Sequence, residues 1–202
     1  MDILEKIFGS VAKVKLMRLF LFNPRTTFLV SEITERIQHS GTATRRELTN
    51  LEKMGLIKRK KLSVQKKRGK KVVSRREVVW MLNEQFPFIG QLETILTNTA
   101  SLLHGEVLKK LTRLGKLKLV IISGVFTHTP ESRVDLLIVG ENLKKRAIQN
   151  ILKNVESEVG KELRYAAFET SDFNYRISVY DKLIRDILDY PHERLLDKLG
   201  VK

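Results

Sequence analysis

The sequence predicts an α+β chain of 202 residues in two parts, and three observations lead to that expectation. The first half repeats apolar residues at helical spacing and then closes on two strand-like runs. The second half carries two continuous apolar runs of strand length, then a long amphipathic helical pattern, then a third short run. Charge is split between the halves: residues 1–85 hold 20 basic and 8 acidic side chains, net +12, whereas 86–202 hold 18 and 15, net +3.

Composition excludes several classes. With 42% hydrophobic and 30% charged residues the chain has apolar material for a packed core. No run approaches the ~18 apolar residues of a membrane span, and Asp2 and Glu5 are wrong for a secretory signal. The expectation is a cytoplasmic protein with no membrane partner. The absence of Cys removes disulfides, thiol nucleophiles and thiolate metal sites. His39, His104, His128 and His192 lack ligand spacing, so neither metal nor cofactor is expected.

The elements follow in order. Val11, Val14, Leu16, Met17, Leu19, Phe20 and Phe22 form a helix after an N-capping Ser10, stopped by Asn23-Pro24. A second helix is expected over Ser31–Gln38, with Ser31 as N-cap and Ile33 and Ile37 inward. After the turn His39-Ser40-Gly41, a third runs to Met54, with Ser40 as N-cap, Gly55 as C-cap, and Thr44, Leu48 and Leu51 facing the core. At 100° per residue its opposite face carries Thr42, Arg46, Thr49 and Lys53, flanked by Arg45 and Asn50. Strand-like runs Leu56–Val64 and Val72–Leu82 follow, joined by a loop over Gln65–Lys71.

Eleven basic residues fall between Lys58 and Arg76, which points to a polyanionic partner. A charge run met alone is a solvated face. Here it follows a helix, a helix-turn-helix and a hairpin, and in that context the sequence resembles winged helix-turn-helix regulators of bacteria and archaea. The resemblance rests on Ser31-Glu32-Ile33 and on Arg45-Arg46-Glu47-Leu48-x-x-Leu51-Glu52-x-x-Gly55-Leu56-Ile57, and covers residues 1–85. It implies that the third helix enters the major groove of duplex DNA while the hairpin wing follows the phosphates. The expected DNA-binding set is Ser40, Thr42, Arg45, Arg46, Thr49, Asn50 and Lys53, with Lys66, Lys67, Arg68, Lys70 and Lys71 of the wing clamping the backbone. Arg forks suit guanine and Asn suits adenine. The alternative for the two Arg is a surface pair with Glu35, Glu47 or Glu52.

Phe86-Pro87-Phe88 marks a junction, and helical patterns over 86–114 serve as connectors or as a dimer seam, a homodimer being expected from the two-fold symmetry of operators. From 115 to 202 a small α/β domain with a mixed sheet is expected: strands Leu117–Ser123 and Val134–Val139, a helix from Leu143 to Val159, a strand Leu163–Phe168, a short helix or turn at Ser171–Tyr175, and a helix over Lys182–Leu188.

Ser123-Gly124-Val125-Phe126 followed by Ser132-Arg133-Val134-Asp135-Leu136-Leu137-Ile138-Val139-Gly140 resembles the core of minimal nucleotidyltransferases of the polymerase-beta-like fold. That family holds nucleotide phosphates on a Gly-Ser turn and two magnesium ions on an Asp-x-Asp strand with a third carboxylate. Here Asp135 matches the second Asp, Arg133 stands where the first belongs, Val125 replaces the Ser, the loop before Ser132 is short, and Leu163–Phe168 has no acid. A guanidinium where a divalent cation must sit opposes metal binding. Gly124, Arg133 and Asp135 are therefore expected to form a vestigial nucleotide site with no catalytic residue, Arg133 pairing with Asp135 or holding an anion. The chain is expected to be a duplex-DNA-binding transcriptional regulator whose silent second domain serves dimerisation or a nucleotide or protein effector. The alternatives are an active nucleotidyltransferase, with Asp135 helped by Glu131 or Glu169, and an antitoxin-like or RNA-binding module.

Overall fold

The computed structural model describes residues 3–68, 71–97, 100–112, 115–127, 129 and 131–201, with the backbone alone for 64–68, 71–73, 75, 97, 100–104 and 106. The architecture is α+β in two compact units: residues 1–98 with 156–161, and residues 99–155 with 162–202. The expected connecting segment is thus shared, α5 (Ile89–Thr97) falling in the first unit and α6 (Ala100–Leu111) in the second. No helix among the described residues is long and apolar enough to cross a membrane.

The first unit opens on a short α1 (Ile3–Phe8) that the apolar periodicity did not announce. Helix α2 (Val11–Leu21) starts where Ser10 Oγ accepts the Lys13 N–H at 3.4 Å. It is buried almost all round, with Leu16, Met17 and Phe20 at the centre of the core. Burial extends to Arg18, whose Nε donates to the Leu96 carbonyl at 3.4 Å, and to Lys15, whose Nζ donates to the Ile37 carbonyl at 3.3 Å. These charged heads follow the rule that a buried donor must find an acceptor.

A two-residue strand β1 (Phe28–Leu29) precedes α3 (Val30–Ile37). The N-cap expected at Ser31 lies instead at Leu29, whose side chain cannot accept a bond; the Glu32 carboxylate at N3 reaches back, its Oε2 accepting the Leu29 N–H at 2.7 Å. Helix α4 (Gly41–Lys53) has Ser40 at its N-cap as expected. Its C-terminus closes by two bonds, Gly55 N–H to Glu52 O at 2.9 Å and Leu56 N–H to Leu51 O at 3.1 Å, with Gly55 at φ +81°. This is a Schellman ending, whose left-handed residue favours Gly.

Strands β2 (Ile57–Arg68) and β3 (Lys71–Leu82) form an antiparallel ladder in continuous register from Ile57 opposite Leu82 to Arg68 opposite Lys71. The expected loop over Gln65–Lys71 is corrected at its ends, because Gln65, Lys66, Lys67, Arg68 and Lys71 pair by backbone as strand. Strand β1 pairs with β3 at Trp80 and Val79, giving the order β1-β3-β2. One core gathers Phe20, Ile33, Ile37, Leu48, Leu51, Leu56 and Trp80, each large aliphatic contributing about 1.5–3 kcal/mol by burial.

The second unit is built on a mixed four-stranded sheet of order β6-β5-β4-β7. Strand β4 (Lys116–Ile122) pairs antiparallel with β5 (Leu136–Glu141) and with β7 (Glu193–Asp197), and β5 runs parallel to β6 (Tyr165–Glu169). Between β4 and β5 lies a 3-10 turn, Gly124–Phe126. Helix α7 (Lys145–Val159) connects β5 to β6, and α8 (Thr170–Ser178) and α9 (Lys182–Asp189) follow. Leu119, Ile121, Leu137 and Val139 pack with Phe173, Ile184 and Ile187 of these last helices. Val120, Ile122, Leu136 and Ile138 are equally buried, so the central strands are covered on both faces and read as unbroken apolar runs.

Candidate nucleic-acid interface

Helix α4 is amphipathic in the way its caps and sequence dictate. Thr44, Glu47, Leu48 and Leu51 are buried, while Thr42, Arg45, Arg46, Thr49 and Lys53 are exposed and Asn50 is half-buried. The structure therefore brings the sequence-expected recognition residues of this helix onto one side. Arg45 and Lys53 have no acidic partner among the described residues. Thr49 Oγ1 donates to the Arg45 carbonyl at 3.0 Å, which spends its hydroxyl within the helix. Ser40 Oγ accepts the Ala43 N–H at 3.4 Å, so its first role is to cap.

Glu47, expected only as one of three surface partners for the two Arg, is buried instead. Its side chain is only 4% exposed. Oε1 takes a charge-assisted bond from Arg46 Nη2 at 3.3 Å, Oε2 accepts from Asn50 Nδ2 at 3.1 Å, and Lys13 Nζ of α2 lies 3.8 Å from Oε2. Lys13 is held in turn by the Phe8 carbonyl at 3.2 Å. Burial works against ionisation of Glu47, but the Asn50 amide, the Lys13 ammonium and the Arg46 guanidinium together outweigh it and keep the carboxyl below the usual glutamate range. The expected alternative in which Arg46 pairs with an acid is thus realised at Glu47, with the Arg46 side chain still 70% exposed. The helical period signalled this position, since 44, 47, 48 and 51 share one face, but Glu was read as a surface partner because carboxylates are rarely buried.

The hairpin continues the basic surface. Lys58, Arg59, Lys60 and Lys61 on β2 are exposed, as is Arg76 on β3. Arg59 Nε bonds Glu52 Oε1 of α4 at 2.9 Å and ties the ribbon base to the helix. From the Lys61–Val78 pair outward the sheet is two-stranded, because β1 reaches only Val79 and Trp80. The full ribbon of 12 residues per strand spans roughly 36 Å at ~3.3 Å per residue. Lys66, Lys67 and Arg68 sit on β2 and Lys71 on β3, while their side chains, and all of Lys70, lie outside the described residues.

In the second unit, Gly124, Arg133 and Asp135 are near one another in the fold but arranged otherwise than expected. Asp135 is 3% exposed. Its Oδ1 accepts the Val125 N–H at 2.9 Å, and its Oδ2 accepts the Arg164 N–H at 2.8 Å and Arg164 Nε at 3.4 Å. Arg133 does not pair with Asp135; its Nε bonds Asp186 of α9. The swap follows from burial: Asp135 points into the sheet end where backbone donors are, and the half-exposed Arg133 finds the acid on the neighbouring helix. Ser132 Oγ donates to Val134 O at 2.7 Å beside Ser123 Oγ, which donates to the same carbonyl at 2.6 Å. Glu169, named as a helper carboxylate, accepts the Asn142 and Leu143 N–H groups, each at 3.1 Å. It is paired in register with Gly140, five residues along from Asp135 and so about 16 Å away. Glu131 is exposed in the loop and His128 lies outside the described residues. Among the described residues no group of three or more His, Asp or Glu could hold a metal ion. No protein-family model, curated protein or solved structure matches this chain.

Proposed function

We propose that the chain is a sequence-specific duplex-DNA-binding transcriptional regulator, its first 85 residues acting as a winged helix and residues 115–202 as a catalytically silent nucleotidyltransferase-like domain. The observation that carries the reading is one exposed basic helix face, Arg45, Arg46 and Lys53 with Thr42, beside a long basic ribbon anchored to that helix through Arg59 and Glu52. A helix with this face suits the major groove, where Arg forks meet guanine O6 and N7. Thr49, with its hydroxyl spent inside the helix, offers a methyl to thymine. The wing lysines neutralise phosphates and supply salt-dependent affinity. Two copies on two half-sites complete the reading, as operator symmetry requires.

Silence of the second domain is supported by Asp135, whose oxygens are occupied by two backbone N–H groups and a guanidinium and are turned away from solvent. The domain is left to dimerisation or to an effector.

The test is a double substitution. Arg45→Ala with Arg46→Ala should weaken binding to the preferred duplex by about 30-fold or more, since each bidentate base contact is worth ~1–3 kcal/mol. Unchanged affinity and selectivity in a fluorescence anisotropy titration would overturn the assignment, and tighter binding of single-stranded RNA than of any duplex would move the protein to the RNA-binding class.

A further inference from the structure

We propose that Glu47 is a positioning residue for sequence selectivity: it holds Arg46 and Asn50 so that together they read a guanine and an adenine within about two base pairs of each other. The inference rests on the DNA-binding reading of α4. Arg46 and Asn50 are four residues apart, one above the other on the helix, about 5–6 Å between Cβ atoms, which spans one to two base-pair steps of 3.4 Å. Both donate to the same nearly buried carboxylate.

The chemistry of that carboxylate fixes what each side chain can present. An ionised carboxylate only accepts, so the Asn50 amide must turn its NH2 toward Glu47. One N–H is thereby committed and the other remains beside Oδ1. That remaining donor and acceptor are what adenine N7 and N6 require. Arg46 commits one Nη2 hydrogen and keeps the other, which with the adjacent Nε or Nη1 hydrogen leaves one intact two-pronged fork, enough for guanine O6 and N7. Without Glu47 both side chains are long, free rotors. Arg46 is then released to the nearest phosphate, a contact that adds affinity without sequence information. Lys13 compensates the carboxylate from the α2 side, and its burial keeps the negative charge away from the phosphates.

The experiment compares the full chain with Glu47→Gln, which keeps the shape and removes the charge, on the duplex enriched from a random pool and on a scrambled duplex of equal length. Glu47→Gln should lose about tenfold or more on the enriched duplex, stay within about twofold on the scrambled one, and enrich a consensus degraded at the G and A positions. Arg46→Ala combined with Glu47→Gln should lose less on the enriched duplex than the product of the two single losses, because the Arg46 share is already gone and only the Asn50 share remains to be lost. Arg46→Lys keeps the charge and loses the fork, so it serves as the second probe if the Gln variant unfolds. It should lose the guanine preference with scrambled binding retained. Equal losses on both duplexes would mean that Glu47 only supports the helix, and no loss on either would also overturn the proposal. A wild-type chain that enriches nothing overturns the DNA-binding reading itself, a different outcome from a wild type that enriches and a variant that does so equally well.

Discussion

At φ +57° Gly124 brings its Cα so close to Asp135 that an added Cβ would lie 2.1 Å from Oδ1. Position and partner are therefore coupled: glycine permits the left-handed turn, and the turn delivers the Val125 N–H to the carboxylate. Gly124→Ala must either displace Asp135 or open the turn. The expected loss is about 2–4 kcal/mol from the second unit, combining the left-handed strain with unsatisfied buried groups. Urea denaturation monitored on the full chain checks this, and a loss under ~1 kcal/mol would contradict the coupling. Glu47 gives a pH prediction with a definite sign. Its folded-state ionisation lies below the unfolded value, so the stability it contributes is complete above the ordinary glutamate range and disappears as pH falls through the lower folded value. Glu47→Gln should flatten the acid limb of the stability curve below the ordinary glutamate range and leave its slope near neutrality unchanged. An identical acid limb in both proteins would mean that Glu47 is not held as described.

Among the elements, α4 is bounded by two local devices that are readable from its ends. Ser40→Ala removes the acceptor for the Ala43 N–H and should cost about 1 kcal/mol, measurable as a lowered Tm of the first unit. A Tm unchanged within error would place the cap elsewhere. Helix α4 and its neighbour α2 were legible because capping and period agree in each. The core strands β4 and β5 were legible because burial on both faces leaves an unbroken apolar signature. The ribbon was legible in kind but not in length: Gln65, Lys66, Lys67 and Arg68 look like loop by composition, and only the backbone register reveals them as strand. Elements β1 and β7 carry no pattern of their own. Phe28-Leu29 is too short for one, and Glu193–Asp197 is an edge strand whose pairing to β4 is decided by tertiary contact. The site divided in the same way. The exposed set on α4 follows from 100° geometry, whereas Lys13 beside Glu47, Asp186 beside Arg133, and Val125 and Arg164 beside Asp135 come from neighbouring elements that sequence spacing does not order.

For the whole chain, the net charge of +15 sets the kind of partner before any base is read. With the excess concentrated in the first 85 residues, duplex affinity should fall steeply with salt, by about 0.9 log unit per log unit of salt for each phosphate neutralised. Replacing Lys60 and Lys61 with Ala should lower that slope by up to about two without altering base preference. A salt titration with parallel slopes for both proteins would remove the ribbon base from the interface. Incubation with magnesium and labelled nucleoside triphosphates should give no transfer of label, because Asp135 is committed to Val125 and Arg164. Transfer that Asp135→Asn abolishes would make the second domain an enzyme.

The most direct test of the central claim is selection of bound duplexes from a random DNA pool at about physiological salt, where sequence-independent binding is suppressed. The account predicts an enriched two-fold motif whose half-sites each carry a guanine and an adenine within about two base pairs, centred ~10 base pairs apart or a multiple of that. A pool that emerges as random as it entered would contradict it and leave the basic ribbon as a general polyanion binder.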